Sequence, residues 1–317
     1  MSWLSSATDI MKQLLKRMVK SVPPIRGLTK ERDAIRKERD EYCKFVPPGH
    51  FYSPIPSIPE ILQVEGRIWG ELPLSIPGID LNTDGQLDLV EEFATYYQEL
   101  PFKDEKSDGL RYYFKNGSYS YSDAIFLYCM IRHARPRKFI EVGSGHSSCV
   151  TLDTNELFFN HQISCSFVEP YPALLNSLIK ESDRASIKVY ESRLQDMPLE
   201  VFRALKANDI LFIDSTHVSK IHSDVNFVIH EILPLLATGV YIHFHDVFYP
   251  FEYPKEWLLE GRAWNEQYLL RAFLEFNPQF KIVFFNTYLE SIYRDKLEKR
   301  MPLIFKNTGG SLWIQRV

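Results

Sequence analysis

The sequence predicts an α/β fold: a mostly parallel sheet with helices on both faces, preceded by a helical and extended N-terminal region. Three observations carry that expectation. Lys138-Phe-Ile-Glu-Val-Gly-Ser-Gly-His-Ser-Ser148 sets an apolar run against a Gly-x-Gly turn and a helix-compatible segment. That order reads as a buried strand, a tight turn and a helix N-terminus. Two further apolar runs, 163–168 and 209–214, lead into the acids Glu169 and Asp214. Strand-like and helical segments then alternate to the C-terminus, which brings these groups to the sheet edge where open α/β sheets bind ligands.

The 317 residues are 45 % hydrophobic and 25 % charged, enough to bury a full core. A net charge of −4 and a pI near 6.2 give no reason to expect a nucleic-acid partner. Cys43, Cys129, Cys149 and Cys165 form no Cys-x-x-Cys pair, which argues against a structural zinc site or disulfide framework and suits a reducing cytoplasm.

Three regions are expected: N-terminal amphipathic and charged helices over 1–45, a connector and lid over 46–119, and the sheet domain over 120–317. The first thirty residues carry six basic side chains against Asp9 alone, with Ile10, Met11, Leu14, Leu15, Met18 and Val19 at helical spacing. Two readings stand open for residues 1–22: attachment to the anionic inner face of a membrane, or docking on the chain's own domain or a second subunit. Glu31-Arg32-Asp33 recurs as Glu38-Arg39-Asp40, consistent with a short helix that could self-associate into a homo-oligomer. Five prolines over 45–59 predict an extended connector. Residues 80–91 fit a calcium-loop pattern (Asp80, Asn82, Asp84, Gly85, Asp88, Glu91), but Pro73 and Pro77 oppose an entering helix. The alternative is a helix from Gly85 to Glu99 capped by Asp84. Aromatics crowd 110–121, and a helix is expected over 122–133. Beyond Asp214 come a helix over 218–236, a strand Val240–His245, a helix over 266–276, a strand Phe280–Phe285 and, after Gly309-Gly310, a last strand.

The two glycines of the Gly143-Ser144-Gly145 turn allow positive φ and leave no Cβ against a ligand. Glu169, about 26 residues on, can take both hydroxyls of a ribose. A nicotinamide-binding turn would need a third glycine where Ser148 stands. With Glu141-Val142-Gly143-Ser144-Gly145, Glu169 and Phe212-Ile213-Asp214 in place, the chain over 120–317 resembles the class I S-adenosylmethionine-dependent methyltransferases. The resemblance implies a Rossmann-like seven-stranded sheet with an antiparallel last strand. It also implies S-adenosylmethionine as cofactor, held by Glu141, Gly143, Ser144, Gly145, Glu169 and Asp214, with Leu194 and Gln195 at the adenine.

Within that family the sequence resembles the metal-dependent O-methyltransferases, catechol-type and macrolide-sugar-type alike. Their metal positions fall on Asp214, His245 and Asp246. A histidine among them favours Mn, Fe or a similar ion over the pure oxygen site that suits Mg. Those side chains could instead hydrogen-bond the cofactor's methionine end. His217, three residues past Asp214, stands where the macrolide-sugar enzymes hold a base, and neutral imidazole suits that task. His243 could line the same cavity or pack under the helices, and His222 and His230 read as structural. Trp264 to Tyr268 would suit a sugar-like or small-molecule acceptor. The other function class is a retired methyltransferase fold acting as a scaffold through its N-terminal helices.

Overall fold

A computed structural model describes residues 23–42 and 45–317. The chain divides at Glu65 into two compact units, the second running from Gly66 to Val317. The basic helix expected over 1–22, with its membrane reading, lies outside the described residues. In the first unit the helix Pro23–Tyr42 opens on two prolines, whose fixed φ suits a first helical turn. Leu28 and Ile35, seven residues apart on it, are both exposed. Among the described residues no helix is long and apolar enough to cross a membrane.

In the second unit, seven strands form one sheet: β1 (Lys138–Val142), β2 (Ser164–Val168), β3 (Lys188–Tyr190), β4 (Ile210–Ile213), β5 (Tyr241–His245), β6 (Phe280–Phe285) and β7 (Ser311–Arg316). Their spatial order is β3-β2-β1-β4-β5-β7-β6. Only β7 runs antiparallel, between β5 and β6, as the seven-stranded expectation required. The central strands are buried along almost their whole length, which is why apolar residues fall on both sides of each, without a break in β4 and interrupted by Glu141 in β1 and by His243 and His245 in β5. The chain leaves β1 toward β2 and β3, then returns to β4 on the other side. The crevice at that reversal, between the carboxyl ends of β1 and β4, is where the site forms.

The helix Tyr121–Ala134 is buried on every face except at Arg132 and His133, so its sequence lacks a polar stripe. The segment before it is fastened by Arg111. Its guanidinium donates to Asp153 (2.6 Å), Glu156 (2.8 Å) and Asp183 (2.7 Å), with its side chain almost wholly buried. The backbone N–H of Tyr112 also donates to Asp153, at 2.8 Å.

Of the two readings of residues 80–91 the structure shows the helix, and the helix expected over 218–236 is corrected. Residues 83–97 form a helix, so Asp84, Gly85, Asp88 and Glu91 lie on helical turns and no twelve-residue calcium loop exists. Its N-cap is Asn82 in left-handed conformation (φ 50°), with Asp84 inside the first turn rather than capping. The helix expected over 218–236 is broken. Residues 214–223 stay irregular, a short α-turn (Asp224–Phe227) begins where Ser223 Oγ accepts from the Asn226 N–H, and wider and tighter turns follow up to Pro234 and Leu235. Loop 214–223 is pinned from outside: Asn265 Oδ1 accepts from the Ser219 N–H at 2.6 Å. A distant side chain decides its shape, which local propensity cannot register.

Removing the guanidinium would leave Asp153 and Asp183 buried without their cation. Arg111→Ala should therefore cost about 3–5 kcal/mol, read as a lowered urea midpoint with an unchanged m-value.

Candidate active site

The Gly-x-Gly turn uses its two glycines for different reasons. Gly143 has φ +78°, and a Cβ there would sit 1.6 Å from the carbonyl oxygen of Asp214. Its N–H donates to Val168 and the Asp214 N–H donates to Val142, so β2, β1 and β4 meet at this residue. At Gly145, whose φ is −174° rather than left-handed, a Cβ would meet only Leu174, at 3.5 Å. Packing does not demand glycine at 145. What its missing side chain leaves is open space in front of the helix His146–Phe159.

That space belongs to a pair of cavities of about 510 and 270 Å³, which share Gly143, Glu169 and Asp214. The larger is lined by Leu194 and Gln195, and the smaller by Ser144, Gly145 and His245. Glu169 ends β2 with its carboxylate accepting from the Ser144 and Tyr171 N–H groups. Ser144 Oγ is buried with no hydrogen-bond partner. Glu141 lines neither cavity. It lies fully buried behind the turn, accepting from Ser147 Oγ at 2.5 Å. Burial raises its carboxyl to about 8, against the lowering effect of Ser147 and Ser148. A long double cavity, an acid at its waist, an open glycine and an unpartnered hydroxyl fit S-adenosylmethionine.

At the same edge Asp214, His217 and Asp246 converge, their ligand atoms all within 4.8 Å of one another. His217 Nε2 is 3.4 Å from Asp214 Oδ1 and 3.6 Å from Asp246 Oδ2, while Nδ1 lies 2.9 Å from buried Glu266. His217 and Asp246 both have positive φ (58° and 54°), a conformation that bulky residues seldom take and that clusters at functional sites. Burial works against a charged His217, but Asp214, Glu266 and Asp246 outweigh it and raise its pKa to about 10. Asp214 is held below the ordinary carboxylate range: burial opposes this, and His245 and His217 overcome it.

His245 was expected beside Asp214 and Asp246, and it does neighbour them, with Nε2 3.6 Å from Asp246 Oδ1. Its ring, however, faces Tyr119 (5.2 Å between centroids) and lines the smaller cavity, and its Nδ1 has no partner. His243 lies deeper, stacked on Phe212 at 4.0 Å, which answers the packing alternative.

The sequence grouped Glu266 with the acceptor residues Trp264 to Tyr268 rather than with His217, and gave no role to Ser118 and His146, whose contact (2.9 Å) joins the aromatic segment to the glycine turn. Glu266 does carry a local signal, as an acid in the first turn of the helix Glu266–Leu274. Its pairing with a histidine 49 residues away carries none.

Residues 140–247 match the family described as a methyltransferase domain. An uncharacterized protein of Archaeoglobus fulgidus is 34 % identical over 175 residues, covering 54 % of this chain and 78 % of that one. Among solved structures, the S-adenosylhomocysteine-bound Podospora anserina methyltransferase PaMTH1 is 12 % identical, covering 82 % of this chain and 96 % of that one, with a TM-score of 0.42. The O-methyltransferase TomG of Streptomyces achromogenes, in complex with its methyl donor, is 12 % identical over 73 % of this chain and 90 % of that one, with a TM-score of 0.40.

The two glycines should separate cleanly. Gly145→Val should keep a near-normal melting temperature and lose binding of S-adenosylhomocysteine by calorimetry. Gly143→Ala should destabilise the protein with or without ligand, because the strained φ and the Asp214 carbonyl both oppose it.

Proposed function

We propose that this chain, which belongs to the class I S-adenosylmethionine-dependent methyltransferases, transfers the methyl group to a hydroxyl of a small molecule or sugar. The observation that carries this reading is the Asp214–His217–Asp246 cluster, whose Asp214 lines the cavity that also holds the Gly143–Gly145 turn. A carboxylate acceptor would need no such cluster, since it is already a nucleophile at neutral pH. A hydroxyl must lose its proton as it attacks.

The chain's own groups divide the work. Glu169 and the open face of Gly145 hold the adenosyl part, while Leu194 and Gln195 face the adenine. Asp214 stands at the junction of the two cavities and so fixes the reacting end against the acceptor. The new O–C bond forms as the C–S bond breaks, S-adenosylhomocysteine leaves, and the hydroxyl proton passes to Asp246, the carboxylate of the cluster that burial holds above the ordinary range. Trp264, packed on the His217 ring at 4.4 Å, shields one side of this place from water. A divalent cation, Mg or a Mn- or Fe-type ion, held by Asp214 and Asp246 would lower the pKa of the acceptor hydroxyl. The donor set supports this, since two carboxylates and an imidazole converge, and among the described residues no lysine or arginine forms an ion pair with those carboxylates.

The role of His217 as a free base is harder to support. Held among three carboxylates, it keeps its own proton at neutral pH and cannot accept another, and a cation held by Asp214 and Asp246 would displace that proton. Cation binding and proton release are therefore linked. The raised pKa fixes the sign. Without a cation, the stability gained from that proton is fully present below pH 6.5 and is lost as pH rises through about 10. The apparent affinity for the cation should rise by up to about tenfold per pH unit across that window and level off above it. A flat profile in Mn²⁺ titrations would contradict the linkage.

Turnover itself supplies the second test. Chelation should abolish methyl transfer to hydroxyl acceptors while S-adenosylhomocysteine still binds. A preparation fully active after exhaustive EDTA treatment and dialysis would remove the cation from the reaction. Failure to methylate any hydroxyl while the methyl donor still binds would favour the scaffold reading.

A further inference from the structure

We propose that His217, rather than His245, is the nitrogen ligand that completes a divalent-cation site with Asp214 and Asp246, and that Glu266 positions it. The proposal rests on the cation reading above and assigns that site its third ligand and its support.

Four observations carry the assignment. Among the described residues, Asp214, His217 and Asp246 are the set whose ligand atoms gather within 4.8 Å, and His245 is absent from it. Separations of 3.4 and 3.6 Å from His217 Nε2 to the two carboxylates are close to those of ligand atoms about 2.0–2.2 Å from a common ion. Nδ1 faces Glu266 at 2.9 Å. A carboxylate on the far nitrogen keeps the proton there and aims the Nε2 lone pair at the ion, the usual support for a ligating histidine.

The fourth observation is that Glu266 grips His217 twice. Besides the side-chain contact, the N–H groups of Glu266 and Asn265 both donate to the His217 carbonyl, at 3.1 Å. The Trp264 ring covers the imidazole face. The ring is thus held through backbone, side chain and face, which fixes the direction of its Nε2 lone pair. His245 has no such support. Its Nδ1 is unpartnered, and its ring borders the cavity of the glycine turn.

The test reads the metal directly. Wild-type protein and the variants His217→Asn, His245→Asn and Glu266→Gln are saturated with S-adenosylhomocysteine and titrated with Mn²⁺ at pH 8. Free Mn²⁺ is followed by electron paramagnetic resonance, and the bound ion by its pulsed ¹⁴N modulation. In wild type the bound ion should show imidazole nitrogen. The signal should persist in His245→Asn and vanish in His217→Asn, with affinity about 10–100-fold weaker in the latter. Glu266→Gln should keep the nitrogen signal and lose about tenfold in affinity, because its amide oxygen still accepts from Nδ1–H but without charge.

Loss of the nitrogen signal in His245→Asn would overturn the assignment and return the site to the set expected from the sequence. That variant decides the matter even where His217→Asn fails to fold, since these two imidazoles flank the aspartates. Wild-type protein that binds no Mn²⁺ at any pH would refute both this assignment and the cation reading. Bound Mn²⁺ without a nitrogen signal would refute the assignment alone.

Discussion

The close approach of two strand ends is the constraint on which the rest depends. Gly143 passes so near the Asp214 carbonyl that no side chain fits, and backbone bonds from Gly143 and Asp214 tie β2, β1 and β4 into one edge. That junction is also the topological reversal of the sheet, so the crevice it opens is bounded by three different connections. The glycine turn, Glu169 and Asp214 face the crevice because each follows the end of a buried strand. The cavities on either side of Asp214 are a consequence of the topology, and loop residues only shape them.

Charge is the second organising element. Buried carboxylates are costly unless paired, and this protein pairs its clusters differently. Asp153 and Asp183 are satisfied by Arg111, a fixed cation with five donors, and that network fastens the segment leading to the buried helix. Among the described residues, His217 is the one hydrogen-bonded or ion-paired partner that Asp214, Asp246 and Glu266 share. A cation that can be given up suits a place where something else must enter. The first cluster is a staple, while the second is a socket.

Support for the socket comes from far along the chain. The start of the helix Glu266–Leu274 holds residues 217 and 219 through backbone and side-chain bonds, and the aromatic group around Trp257 and Trp264 closes over it. Arg262 lies over both of those rings. The loop after β5 thus serves the loop after β4, and the left-handed backbones at His217 and Asp246 persist because neighbours over-determine them.

How much of this was legible beforehand follows from how local each signal is. Strands β1, β4 and β5 announced themselves because burial on both faces puts apolar residues on both sides of the strand, and the Gly-x-Gly turn with acids at strand ends marked the edge. Strand β3, three residues long, has no periodicity to read. The helix over 218–236 failed because a pattern of apolar residues cannot reveal that Asn265 holds the chain off a helical path. The sequence also brought Asp214, His217, His245 and Asp246 to one end of two neighbouring strands. It could not say which imidazole turns toward the aspartates, because adjacent strand ends fix positions and not side-chain directions. That choice was made by Glu266, 49 residues from His217, through a contact only tertiary packing creates.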